Sequence, residues 1–319
     1  MSQETISLLP VDHVEIMIIM DNSIDELMTS TDVAKRIRLG PHPFDRPHPV
    51  AQHGFSVLIR VKRGDTSGTV LFDTGLNPRN FLYNVDALEI KLSDIQSVIL
   101  SHGHPDHAMG LPGLTQRLGS RNLPLLLHPD AYLERKGILP NGEETFLPPP
   151  RKADLLREHI QVIEEVGPSM LVEGMILVSG EVARATSFEW GFPIHYARRE
   201  QGWEPDPLIH DDQCAIIQVQ DKGLVIVTGC GHAGIINIIR NAQALTGIQE
   251  IYAVLGGFHL NGPLFEPLIP ATIAALQQFH PRYLVPCHCT GWVANLGRRP
   301  RFSARGDGDT GGHFPARLR

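Results

Sequence analysis

Residues 97–111 read SVILSHGHPDHAMGL. The run from Ser97 to Leu100 is short and apolar, as a buried strand is, and it passes directly into Ser101 and His102. In extended chain, side chains two apart share a face, so His102 and His104 point the same way and can grip one cation. Pro105 then turns the chain into a helix. Asp106 and His107, at that helix start, point elsewhere and can hold a second cation nearby. Imidazole and carboxylate donors suit zinc, and also iron or manganese.

Working outward, further strand ends carry residues of the same kinds. VLFDTG (70–75) ends a strand on Asp73. GLVIVTGCGHAGIINII (223–239) is an apolar strand, a glycine-rich turn with Cys230 and His232, then a helix. AVLGGFHLNG (253–262) ends in His259, and YLVPCHCTG (283–291) in His288. PVAQHGFSVLI (49–59) places His53 just before a strand. Alternation would turn Cys287 and Cys289 away from the face of His288, so both are expected to be packing residues.

Short runs rich in Val and Ile predict strands over 14–20, 55–61, 69–73, 97–101, 124–128, 175–179, 214–219, 223–228, 250–255 and 283–287. Helical spacing predicts helices over 106–118, 129–136, 151–158, 233–245 and 265–279. The chain is expected to be one domain over 1–319, with a loop-rich excursion at about 129–212. Residues 41–50 and 141–151 read as proline-rich loops, and the tail after about residue 302 as irregular.

These residues resemble the metallo-β-lactamase superfamily, whose His-x-His-x-Asp-His signature at a strand end is matched in full by His102 to His107. HGFS, GGFH, TGCGHAG and HCTG are similar to one branch, the 7,8-dihydropterin-6-methyl-4-(β-D-ribofuranosyl)aminobenzene 5′-phosphate synthase-like proteins. The resemblance spans about residues 10–295. It implies a four-layer αββα sandwich, of α/β (α+β) class, with two divalent metal ions at one edge between the sheets. The implied ligands are His102, His104, Asp106, His107, His232 and His288. Asp73 would buttress the metal loop, and Cys230 stands where many members have a bridging aspartate. The nearest candidates for the family's usual extra histidine, His195 and His210, lie outside its context, so His232 is expected to replace it, with His210 as the alternative. His53 is expected to be structural or to line the pocket.

The implied activity is hydrolysis of a small ester, lactone or phosphorylated metabolite by a dinuclear metal-bound hydroxide. Asp106 would orient the nucleophile, and His259 would donate a proton or bind a phosphate. The branch implies an alternative, a transferase that condenses a pterin diphosphate with a phosphoribosyl-aminobenzene. A nuclease is disfavoured by the net charge of −7, since backbone-phosphate binding needs clustered Lys and Arg. One basic stretch, GRRPRFSAR (297–305), is the exception to that balance. A diiron oxygen-reducing protein is disfavoured because relatives of that kind carry Glu where this chain has His104. A metal-binding sensor without turnover is a further reading.

The first sixteen residues lack a signal-peptide pattern, apolar runs are too short to span a bilayer, and four cysteines make no dense disulfide framework. A cytoplasmic protein acting on a small molecule is expected, without nucleic acid or membrane partners and with self-association into a homo-oligomer open.

Overall fold

HVEIMIIM, the first strand, buries residues on both faces: Val14 and Ile16 on one, Met17 and Ile19 on the other. A strand apolar on both sides needs a covering layer on each, and that requirement organises the molecule. The structure is a computed structural model that describes residues 5–37, 42, 45–119, 121–157 and 160–296.

The chain begins with β1 (His13–Met20), β2 (Ser56–Arg63), β3 (Thr66–Phe72), α1 (Pro78–Ala87), β4 (Ser97–Ile99), α2 (Pro105–Ala108), α3 (Leu111–Leu118) and β5 (Leu123–Leu127). The middle part contains β6 (Arg135–Ile138), β7 (Glu144–Leu147), α4 (Lys152–Arg157), β8 (Ile160–Glu164), β9 (Ser169–Leu171), β10 (Ile176–Val178), β11 (His195–Arg199) and β12 (Gly202–Pro205). Then come β13 (Cys214–Val219), β14 (Gly223–Thr228), α5 (Ile235–Thr246), β15 (Ile251–Gly257), α6 (Ile269–Phe279), β16 (Tyr283–Cys287) and α7 (Trp292–Leu296).

One sheet runs β1-β2-β3-β4-β5-β8 and a second runs β16-β15-β14-β13-β10-β9. Val57, Ile59, Val70 and Phe72 of the first pack against Ala215, Ile217, Val225 and Val227 of the second, which makes the central core. The outer face of the first sheet is covered by Phe81, Val85, Leu111 and Leu114 of α1 and α3. The outer face of the second is covered by Ile235, Ile238 and Ile239 of α5 and Leu276 of α6. The architecture is the expected αββα sandwich.

β3-β4-β5-β8 pair in parallel, as do β14-β15-β16. Parallel strands release their C-terminal ends at the same edge, where open α/β sheets collect ligands. Asp73 follows β3, His102 follows β4, Cys230 and His232 follow β14, His259 follows β15 and His288 follows β16.

Several sequence expectations are corrected. The helix expected over 129–136 is a single tight turn, Pro129–Tyr132, followed by β6. The helix expected over 106–118 is two, α2 and α3, parted at Gly110, where a Cβ would lie 2.0 Å from the Thr74 carbonyl oxygen. The stretch expected as loop around 141–151 contributes β7, which joins β6, β11 and β12 in a third, antiparallel sheet ordered β12-β11-β6-β7. α1 was not expected. It starts because Asn77 caps the Arg79 and Asn80 N–H groups and Pro78 occupies the first turn. The basic stretch 297–305 and the tail after residue 302 lie outside the described residues. Among the described residues no helix is long and apolar enough to cross a membrane.

Candidate metal centre

The backbone after β4 leaves the sheet at Ser101 and presents three ligand-type side chains in five residues. His102 Nε2 lies 3.0 Å from His104 Nδ1, and His232 Nε2, arriving from the turn after β14, lies 3.2 Å from that same Nδ1. Tetrahedral zinc with Zn–N bonds of about 2.0–2.1 Å sets its ligand nitrogens about 3.3 Å apart. The three buried rings therefore hold their nitrogens at cation-sharing distance. Burial, reinforced by the neighbouring histidines, keeps all three imidazoles well below their usual range. Neutral rings are what a cation needs.

Asp106, His107, Cys230 and His288 form a second set beside the first. His107 Nε2 lies 3.1 Å from Cys230 Sγ and 3.7 Å from Asp106 Oδ2. His288 Nε2 lies 3.1 Å from Asp106 Oδ2, yet it has no hydrogen-bond partner. Burial alone would raise the Asp106 carboxyl, but His107, His288 and His53 hold it well below the usual carboxylate range. The N,N,N and O,N,S,N donor sets suit divalent zinc, with the thiol making the second set the softer.

Outer contacts fix the rings. Buried Asp73, at φ +60°, accepts the Ser101 N–H at 2.7 Å through Oδ1. Its Oδ2 takes the Ser101 hydroxyl at 2.7 Å and faces His107 Nδ1 at 2.7 Å. Ser101 Oγ in turn stands 2.9 Å from His102 Nδ1. His288 donates its backbone N–H to Asp21 Oδ1 at 2.7 Å, and its Nδ1 lies 3.0 Å from Asn22 Oδ1. Each contact leaves the ring's other nitrogen facing inward.

His53 lies at the mouth, its side chain 62% exposed, with Nε2 3.1 Å from Asp106 Oδ2. That hydrogen bond raises its pKa. His259, at φ +43°, stands 4.2 Å ring to ring from His232. His210 is not brought to the centre. Its half-exposed ring lies 3.8 Å from Glu181.

Three groups stand nearer the centre than the sequence reading put them. His195, on β11, puts Nε2 2.9 Å from His104 Nε2. Arg135, buried, grips Asp206 and Asp211. Cys289 was expected to pack away from His288. Instead it sits with Cys230 and His259, its thiol donating to the Cys230 carbonyl at 3.2 Å. The strand ends at Cys287 and His288 takes φ +50°, so alternation does not extend to Cys289. Cys287 does pack in the central core.

The family model of the metallo-β-lactamase superfamily matches residues 50–244, more than half of the chain. The chain belongs to the metallo-β-lactamase superfamily. It is 31% identical over 254 residues to the 7,8-dihydropterin-6-methyl-4-(β-D-ribofuranosyl)-aminobenzene-5′-phosphate synthase of Methanocaldococcus jannaschii, covering 76% of this chain and 83% of that one. An uncharacterized protein of the same organism is 32% identical over 250 residues, covering 76% of this chain and 86% of its own. Among solved structures, Tm1679, described as a metal-dependent hydrolase of the β-lactamase superfamily, superposes with a TM-score of 0.66 at 24% identity, covering 88% of this chain and 90% of that one. That likeness bears on the fold.

Proposed function

We propose that this superfamily member is a metal-dependent hydrolase acting on a small ester, lactone or phosphorylated metabolite. The observation that carries the reading is the pair of adjoining candidate ligand sets at one edge of the sandwich, His102-His104-His232 beside Asp106-His107-Cys230-His288. These residues would hold two divalent ions, zinc first and iron or manganese as alternatives, and the chemistry such ions supply is acidification of a water and polarisation of a substrate oxygen. Asp106, the member of the second set that His53 reaches from the mouth, would orient the nucleophile. His53, exposed and tied to Asp106, is placed to meet an anionic substrate oxygen. His259, beside His232, is placed to hold a proton for the leaving group.

A second reading has its own support. The M. jannaschii relative is a synthase. The pocket next to His232 and His259 is walled by Trp190, Phe192, Phe258 and Phe265, rings suited to a flat heteroaromatic group. In that reading these rings would face the pterin of a pterin diphosphate, and a phosphoribosyl-aminobenzene replaces water.

Elemental analysis of the purified protein, followed by a substrate panel, tests both. Near two metal equivalents and turnover of a single ester, lactone or phosphate substrate support hydrolysis. Pyrophosphate release that depends on the second, amine-bearing substrate supports the transferase. Absence of bound metal after loading with zinc rejects both.

A further inference from the structure

The third sheet delivers a histidine that neither ligand set uses. His195 is buried, 1% exposed, and its Nε2 stands 2.9 Å from His104 Nε2. The other nitrogen of His104, Nδ1, is the one that faces His102 and His232. A nitrogen that gives its lone pair to a cation carries no hydrogen, so a neutral His104 ligating through Nδ1 keeps its hydrogen on Nε2. That hydrogen points at His195 Nε2, which must accept it. His195 then carries its own hydrogen on Nδ1.

What Nδ1 faces completes the arrangement. It has no hydrogen-bond partner and lies 3.6 Å from Asp206 Oδ2. Asp206 is held in place by Arg135 Nε at 3.1 Å. The terminal nitrogens of the same guanidinium clamp Asp211 at 2.6 and 3.1 Å, and Asp211 Oδ2 takes the Gly103 N–H at 2.7 Å. One buried arginine thus ties down both the carboxylate that His195 faces and the backbone between His102 and His104. Phe192 stacks on the His195 ring, centroids 5.6 Å apart at 21°, and fixes its plane.

We propose that His195 is a positioning residue, the acceptor that sets the His104 tautomer for cation binding, in a relay from Asp206 through His195 to His104 anchored on Arg135. It rests on the metal-centre reading above and extends it to the sheet outside the sandwich. A carboxylate behind a ligating imidazole raises its donor strength. Here a second imidazole is interposed. The third sheet is thereby coupled to the first ligand set without supplying a ligand to it.

The test compares the parent with His195→Gln and His195→Phe. Gln can accept from His104, whereas Phe fills the space and cannot. Zinc affinity is read by competition with a chromophoric chelator, and the His104 tautomer by long-range ¹H–¹⁵N correlation in ¹⁵N-histidine-labelled protein. His195→Phe should bind the first zinc about 10- to 100-fold more weakly and lose the single Nε2–H form of His104. His195→Gln should retain most of the parent's affinity, a rescue that packing alone does not produce. Parent-like affinity and tautomer in His195→Phe overturn the relay and leave the metal centre standing. A parent that takes up no zinc overturns both. Should His195→Phe fail to fold, Asp206→Asn replaces it: weaker zinc binding supports the relay, and unchanged binding rejects it.

Discussion

Asp73 shows how much one residue can organise. Its left-handed backbone at φ +60° turns the chain at the end of β3, and its carboxylate then meets Ser101 twice and His107 once. In Asp73→Asn the backbone is tolerated, since asparagine readily adopts positive φ. The new amide can supply only one oxygen, and its NH2 opposes the Ser101 hydroxyl and the His107 N–H. We expect the second metal equivalent to weaken about 10- to 100-fold and the first by less, since Asp73 reaches His102 only through Ser101. Stepwise zinc titration checks this, and equal loss at both steps would contradict it. Asp212 makes a pH prediction. Burial pushes its carboxyl from 3.8 up to about 6, with Oδ2 accepting the Ala233 N–H at 2.8 Å and Oδ1 unpartnered. The folded chain then holds this proton better than the unfolded chain. The group's contribution is complete below about pH 4 and lost as pH rises through about 6. Asp212→Asn, which keeps an acceptor for Ala233, should match the metal-free parent near pH 4. It should melt higher at pH 7.5, by up to about 3 kcal/mol. Melting curves at the two pH values decide, and an equal difference at both would reject the assignment.

Between single residues and the whole chain, α5 carries the argument. Its N-cap is Gly234, which has no side chain to cap with. Glu189 replaces it from a distant loop, accepting the Ile236 and Asn237 N–H groups at 2.8 Å each. Asn237 returns the contact by accepting from Ala185 and Thr186. The helix whose first turn follows His232 is therefore latched to the loop that carries Phe192. Glu189→Ala should cost about 1–2 kcal/mol, read by denaturant unfolding of the metal-free protein. A cost near zero would mean that water caps the helix as well. This level is also where the sequence was least legible. His102 to His107 could be read because the signal is local and follows an apolar strand. β6, β11 and β12 could not, because RKGI, HYARR and GWEP put charged residues where a strand pattern needs apolar ones. Their burial is made tolerable by long-range pairing, Arg135 with Asp206 and Asp211, and sequence spacing carries no trace of it. His195 was set aside because its strand was not read, and Cys289 was misplaced by extending alternation one residue past a strand end.

At the scale of the molecule, the candidate ligands come from both halves of the sandwich. His102, His104, Asp106 and His107 follow the first sheet, while Cys230, His232 and His288 follow the second. An ion shared between them binds the assembled fold and has no equivalent site in the unfolded chain. Such an ion adds stability by mass action, about 4 kcal/mol at a free concentration a thousandfold above its dissociation constant. For a chain of this length a kilocalorie is worth about 2 °C in melting temperature. Stripping the metal with a chelator should therefore lower the transition by about 8 °C, and returning zinc should restore it. The His102→Ala/His104→Ala double variant separates this from general ionic effects. It removes two ligands of the first set, both from the first sheet, so that set can no longer clamp the two sheets together. Its melting temperature should fall below that of the zinc-loaded parent and respond much less to added zinc. A full zinc response in the double variant would mean that the stabilising ion sits elsewhere, and the cross-sheet clamp would then be wrong even with the fold intact.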